Sequence, residues 1–223
     1  MIDIESYISK LICRLKQHYG PRLLYVGLQG SYLRGEATVK SDIDIMVVID
    51  SLNVSDLDAY RSIISCLEHT DKSCGFICSK TDLLNWNPLE ICHLINSTKD
   101  YYGALNPLVP TYTEADIRNF IKLSINNLYH EICHRYIHAG QQNNITELPR
   151  SYKSVFFILQ SLYYLERGEY ILSKAELLPL LTGINHEVLR RSIQLNGEMT
   201  YDFPESFELL FKWCQNTLNA LQN

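Results

Sequence analysis

Residues 41–50 read SDIDIMVVID, and no other stretch constrains the fold as much. From Ile43 to Ile49 the run is apolar except for Asp44, the pattern of a strand running into a core. A strand turns residues i and i+2 to the same side, so Asp42 and Asp44 share a face at its entry. Like charges placed side by side repel and resist burial, so something positive is expected between them.

The surrounding chain alternates strands and helices. Apolar positions at Ile4, Ile8, Leu11, Ile12 and Leu15 predict a helix over 3–18, stopped by Tyr19-Gly20-Pro21. RLLYVGLQG reads as a first strand ending at Gly30, and SDIDIMVVID as a second. SDLDAYRSIISCLEH opens on a Ser/Asp cap and continues as an amphipathic helix. SCGFICS is a short third strand, a helix follows from Pro88, and YYGAL is one more edge strand. The proline-bearing LNPLVPTYTEAD breaks this pattern. Beyond it, helices are expected over 114–139, 152–166, 173–181, 186–195 and 204–221, the first with a stripe of Ile117, Ile121, Leu128 and Ile132. The expected fold class is therefore an α/β (α+β) domain with a mixed sheet over 1–108, followed by an all-α helical bundle over 109–223.

A hydrophobic share of 46% with 20% charged residues describes a soluble globular chain. The net charge of -5 argues against a general nucleic-acid binder, though not against a nucleotide held by a local basic patch. No apolar run approaches the length of a membrane span, and the N-terminus lacks a signal-peptide layout. Seven scattered cysteines read as reduced thiols packing as small hydrophobes, which points to the cytoplasm.

Paired carboxylates on one strand face suit a hard divalent cation, and magnesium binds through one or two such groups plus substrate phosphates. Gly30-Ser31, separated from Asp42 by ten residues, offers a small residue and a hydroxyl where backbone amides can approach a phosphate. Ser41 adds a second hydroxyl. Together these parts describe a nucleoside triphosphate held by Mg²⁺ and backbone donors.

Gly-Ser, ten residues, then Asp-Ile-Asp in an apolar strand resembles the signature of the DNA polymerase β nucleotidyltransferase superfamily, in its small bacterial members. Gln29 stands where an apolar residue is commoner. The resemblance implies catalytic and metal-binding roles for Asp42 and Asp44, and phosphate binding by Gly30, Ser31 and Ser41. Residues 156–178, FFILQSLYYLERGEYILSKAELL, are similar to the helical domain of the streptomycin/spectinomycin adenylyltransferases. There Lys174 matches a lysine near the nucleotide phosphates, whereas Gln160-Ser161 stands where that family carries an arginine, and Lys153 is a nearby substitute. TDLLNW, residues 81–86, looks like the segment after that family's third central strand.

The superfamily's third carboxylate, a metal ligand or the base for the acceptor hydroxyl, falls on Cys74 when aligned through Trp86. Asp71, Glu68 and Glu131 stay open as the base. The implied reaction moves a nucleoside monophosphate, AMP from ATP, to a hydroxyl of a small molecule, with aminoglycoside-like antibiotics as the acceptor class. A nucleotide-binding regulatory or antitoxin-like protein with degenerate catalysis is the alternative.

Two other patterns carry less. HEICH, residues 130–134, fits a zinc-protease spacing, and His138 extends it, but the histidines fall on the polar side of their helix. Cys74, Cys78 and Cys92 read as buried thiols, because i and i+4 on a strand lie too far apart to chelate one ion. Arg34 and Lys40 lie on the loop that passes the expected triphosphate.

Overall fold

The computed structural model describes residues 2–196 and 200–221. The chain divides into two compact units, Met1–Tyr112 and Thr113–Asn223.

The first unit runs α1 (Ile4–Tyr19), β1 (Leu23–Leu28), α2 (Gly30–Leu33), β2 (Ile43–Ile49), α3 (Val54–Ser65), β3 (Ser73–Ser79), α4 (Lys80–Leu84), α5 (Pro88–Asn96) and β4 (Lys99–Tyr102). The four strands form one mixed sheet in the order β3-β2-β1-β4. β1 pairs antiparallel with β2 and β4, and β3 lies parallel to β2. Period-two alternation divides β2 between two cores. Ile43, Ile45, Val47 and Ile49 pack with Ile8, Leu11 and Leu15 of α1, and α3 adds Tyr60 and Ile63. Met46 and Val48 face the other way, with Tyr25, Leu83 of α4 and Ile91 of α5. Each such fully buried aliphatic side chain contributes about 1.5–3 kcal/mol, so a one-residue slip of β2 would forfeit both cores. Asp44 shares the face of Met46 and Val48, at its open end.

α3 starts earlier than its Ser/Asp dipeptide predicts. Asn53 is the cap: its side chain accepts from the Asp56 N–H, and the Asp56 carboxylate accepts from the Asn53 N–H. Asp56 is buried, and Arg22 at the entry to β1 meets it with two hydrogen bonds, of 2.9 and 3.1 Å. The same guanidinium donates to Asp50 at 3.0 Å and to the Ser51 carbonyl at 2.7 Å. One arginine thus ties the start of β1 to the β2–α3 connection, and its hydrogen bonds hold Asp50 and Asp56 below the usual carboxylate range.

The second unit is helical: α6 (Glu114–His138), α7 (Gln141–Ser151), α8 (Lys153–Arg167), α9 (Lys174–Leu177), α10 (Gly183–Leu195) and α11 (Phe203–Ala220). The expected stripe of Ile117, Ile121, Leu128 and Ile132 is buried, with Ile125 completing it. α8 buries Val155, Phe156, Ile158 and Leu159, and Trp213 of α11 is fully buried, its indole N–H donating to Asn185 at 2.8 Å. The helix expected over 173–181 divides into α9 and a 3₁₀ turn at Leu178–Leu180, where Pro179 has no N–H to continue the ladder.

All seven cysteines are free thiols. Cys78, Cys92 and Cys214 are buried as expected, but Cys13, Cys66 and Cys74 are exposed. For Cys74 the expectation of burial is overturned because β3 is an edge strand whose first half is open. Among the described residues no helix is long and apolar enough to cross a membrane.

Candidate active site

The Asp44 carbonyl accepts the Gln29 N–H at 2.9 Å, which fixes the residue beside the end of β1. The chain there turns sharply into α2 through Gly30, at φ +69°. A Cβ at Gly30 would lie 2.7 Å from Asp44 Cγ and overlap Oδ2, so the turn presses its backbone directly onto the carboxylate. On the opposite side, Gly75 of β3 at φ +112° lets that strand close on Ile45, where a Cβ would meet Ile45 N at 2.6 Å. Glycines on both flanks leave Asp44 in a narrow backbone setting.

The strand register sets Cys74 directly across from Asp44. Its thiol donates a hydrogen bond to the Asp44 carboxylate, and partial desolvation of the otherwise exposed group, together with that neighbouring charge, raises the thiol's pKa. Asp44 is pushed upward by burial first and by the Asp42 charge second, and Cys74 and Arg34 pull it back. Arg34 is thus a positive charge acting on Asp44. Its guanidinium is paired with Glu36 at 3.0 Å and is 18% exposed, which makes it part of the site wall rather than a solvated loop residue.

Asp42 is exposed and lies just before β2, at the mouth of the same face. Ser31 follows Gly30 in α2, and its carbonyl accepts from the Glu36 N–H at 2.9 Å. The Ser41 hydroxyl accepts from the Thr38 N–H at 2.9 Å and so closes the loop that leads into the acids. Gly30, Ser31, Ser41, Asp42 and Asp44 therefore gather around one end of the sheet. Gln29 donates to Thr98 Oγ1 at 2.8 Å and secures β1 to the entry of β4.

Lys153 and Lys174 belong to the helical unit. Lys153 opens α8 and is exposed, whereas Lys174 opens α9 with its ammonium 5.9 Å from the Phe156 ring. Gln160 is 1% exposed; it donates to the Ile171 carbonyl at 2.6 Å and accepts from Tyr170 at 3.0 Å. It therefore braces the turn that precedes Lys174. Of the acids left open as a base, Glu68 pairs with Lys10 at 3.2 Å on the surface and Asp71 is exposed in a 3₁₀ turn. Glu131 is engaged by Arg135 and by the Ser151 hydroxyl.

Two features of this face take roles that the sequence patterns did not assign to them. His93 of α5 is driven down to about 4 by burial, with Arg34 adding to the shift, so its imidazole is neutral at pH 7. Phe76 stacks on Trp86 with centroids 6.0 Å apart, and the Trp86 indole N–H donates to Glu90 at 2.6 Å. Phe76 follows Cys74 on the same face of β3, so an aromatic wall adjoins the thiol.

On this four-stranded mixed sheet Asp44 lies against the Gly-Ser turn. Residues 8–102 match the family model described as nucleotidyltransferase domain. A relative from Methanocaldococcus jannaschii, named "putative protein adenylyltransferase", is 44% identical over 66 residues, 30% of this chain. The match spans 64% of that relative's length. The crystal structure of spectinomycin adenyltransferase AAD(9) from Enterococcus faecialis, solved with ATP and spectinomycin, aligns with a TM-score of 0.60 at 16% identity. It covers 96% of this chain and 99% of the other, and shows a shared fold from the mixed sheet through the helical unit.

Proposed function

We propose that this chain is a Mg²⁺-dependent nucleotidyltransferase that moves AMP from ATP to a hydroxyl of a small molecule, with aminoglycoside-like antibiotics as the acceptor class. The observation that carries the reading is the contact of the Gly30 turn with Asp44: backbone able to approach a phosphate meets acids able to hold a metal. The fold shared with an adenylyltransferase solved with ATP and spectinomycin supports it.

The donor set suits the ion. Asp42 and Asp44 offer carboxylate oxygens, and magnesium commonly takes one or two of these with phosphates and water completing the shell. Among the described residues no three His, Cys, Asp or Glu side chains are grouped to hold a metal, which leaves the remaining positions to the triphosphate and water. When bound, the ion supplies charge stabilisation to the transferred phosphoryl group.

Gly30, Ser31 and Ser41 bind the phosphates, and Lys153 and Lys174 are assigned to the nucleotide. The acceptor hydroxyl attacks the α-phosphorus in line, the α–β bond breaks, and pyrophosphate leaves while a base takes the hydroxyl proton. Calorimetric titration with ATP, with and without Mg²⁺, tests the reading beside Asp44→Asn. Label from α-³²P-ATP is then followed onto spectinomycin, streptomycin and related acceptors. Metal-dependent binding that disappears in the variant, with label transferred to an acceptor, is the expected result. Absence of nucleotide binding in every condition would sink it.

One observation favours a second reading. Cys74 stands across from Asp44 where the family carries an acid, as in a nucleotide-binding regulatory or antitoxin-like protein with degenerate catalysis. Mg²⁺-dependent ATP binding with no pyrophosphate release for any acceptor would select it.

A further inference from the structure

The helical unit carries a second group of metal-ligating side chains that the nucleotide reaction does not use. The last three turns of α6 place His130, His134 and His138 at successive i, i+4 positions, all exposed. Their rings follow one another along the helix, with centroids 5.8 Å apart for His130–His134 and 4.7 Å for His134–His138. They border an open cavity of about 580 Å³ together with Glu131, Arg135 and, from α7, Asn143.

The charged neighbours are already committed. The Glu131 carboxylate accepts from Arg135 and, at 3.0 Å, from the Ser151 hydroxyl, which itself accepts from Arg135 at 2.9 Å. That closed triangle leaves the imidazoles as the metal donors on this wall. Two nitrogens bound to one tetrahedral ion at about 2.05 Å are about 3.3 Å apart. Rings with centroids 4.7 Å apart reach that spacing by turning about χ2 on a rigid helix, whereas the 5.8 Å pair needs a larger rearrangement.

We propose that His134 and His138 form a two-histidine chelate for a borderline divalent transition ion of the zinc, nickel or copper class. Imidazole suits these ions, while the carboxylate pair on β2 suits a hard one, so the two sites differ in metal class as well as in place. Among the described residues no third His, Cys, Asp or Glu completes a ligand set. The ion therefore keeps water in its other positions and exchanges readily, unlike a closed structural site. Binding across the last turns of α6 joins residues separated by one helical turn and stabilises the folded helix by linkage.

The test uses the untagged full chain carrying Asp42→Asn and Asp44→Asn, so that the β2 acids contribute nothing. Calorimetric titration with NiCl₂ is expected to give one ion per chain. Affinity falls at least tenfold on adding His134→Ala or His138→Ala and stays within about twofold on adding His130→Ala. Nickel raises the melting temperature of the parent and leaves both His134→Ala and His138→Ala unmoved. With CuCl₂, the parent's electron paramagnetic resonance spectrum shows two equatorial nitrogens, a readout that needs no further substitution. Superimposable titrations of parent and His134→Ala, or a copper spectrum without nitrogen coupling, would overturn the proposal.

Discussion

The α-carbon of Gly30 faces the Asp44 carboxylate so closely that a single added methyl would occupy the place of Oδ2. The relationship couples two demands. The turn after β1 needs a residue at φ +69°, and the first acid inside β2 needs a neighbour with no side chain.

Gly30→Ala meets both penalties at once. The left-handed backbone costs an ordinary residue roughly 1–2 kcal/mol, and overlap with Asp44 must then be relieved by moving either the turn or the carboxylate. The expected outcome is a folded protein with a lower melting temperature and with metal-dependent ATP binding weakened at least tenfold. Thermal melts read the first effect and calorimetry the second. Unchanged binding would show that the turn does not serve the phosphates.

Asp44→Asn separates folding from function. At neutral pH the ionised carboxylate is disfavoured by its burial and by Asp42, so the metal-free variant melts higher than the parent. Transfer is expected to fall by about 10³-fold or more, the size of several kcal/mol of lost charge stabilisation. A variant that is both less stable and fully active would reverse the assignment.

Cys74→Glu tests whether an acid across from Asp44 serves as a base. A positioned general base contributes about 10²–10⁴-fold. If catalysis is limited by proton removal at this strand position, Cys74→Glu raises the rate of label transfer from α-³²P-ATP, whereas Cys74→Ala leaves ATP affinity nearly unchanged. A rate that falls in Cys74→Glu would mean that the site has adapted to the thiol.

What could be read in advance, and what could not, follows from the range of the forces involved. The parity of Asp42 and Asp44 is a local property of an alternating strand, and the stripe Ile117, Ile121, Leu128, Ile132 is a local property of a helix, so both were legible. α7 was not: its eleven residues bury only Asn144, Leu148 and Ser151, and Pro149 interrupts a helical pattern that has almost no apolar face. The depressed His93 depends on α5 covering the sheet near Arg34, a contact between residues 59 positions apart that no local periodicity encodes. The Asp44–Cys74 pairing lies between these cases. Parallel register had to be known before the thiol could be set opposite the acid.

Arg22 predicts how the fold responds to acid. Its hydrogen bonds hold Asp50 and Asp56 below their usual range, so these carboxylates bind protons less readily in the folded chain than in the unfolded one. The stability they contribute is complete above the ordinary carboxylate pKa of about 4 and is lost as pH falls through the lowered values. Arg22→Ala should therefore melt well below the parent at pH 7, and the gap should narrow as pH falls below about 4 and both acids protonate. Circular-dichroism melts across that range measure it. A gap independent of pH would mean that Arg22 acts through its packing against Tyr19, 5.7 Å from the ring centre, and through its bond to the Ser51 carbonyl.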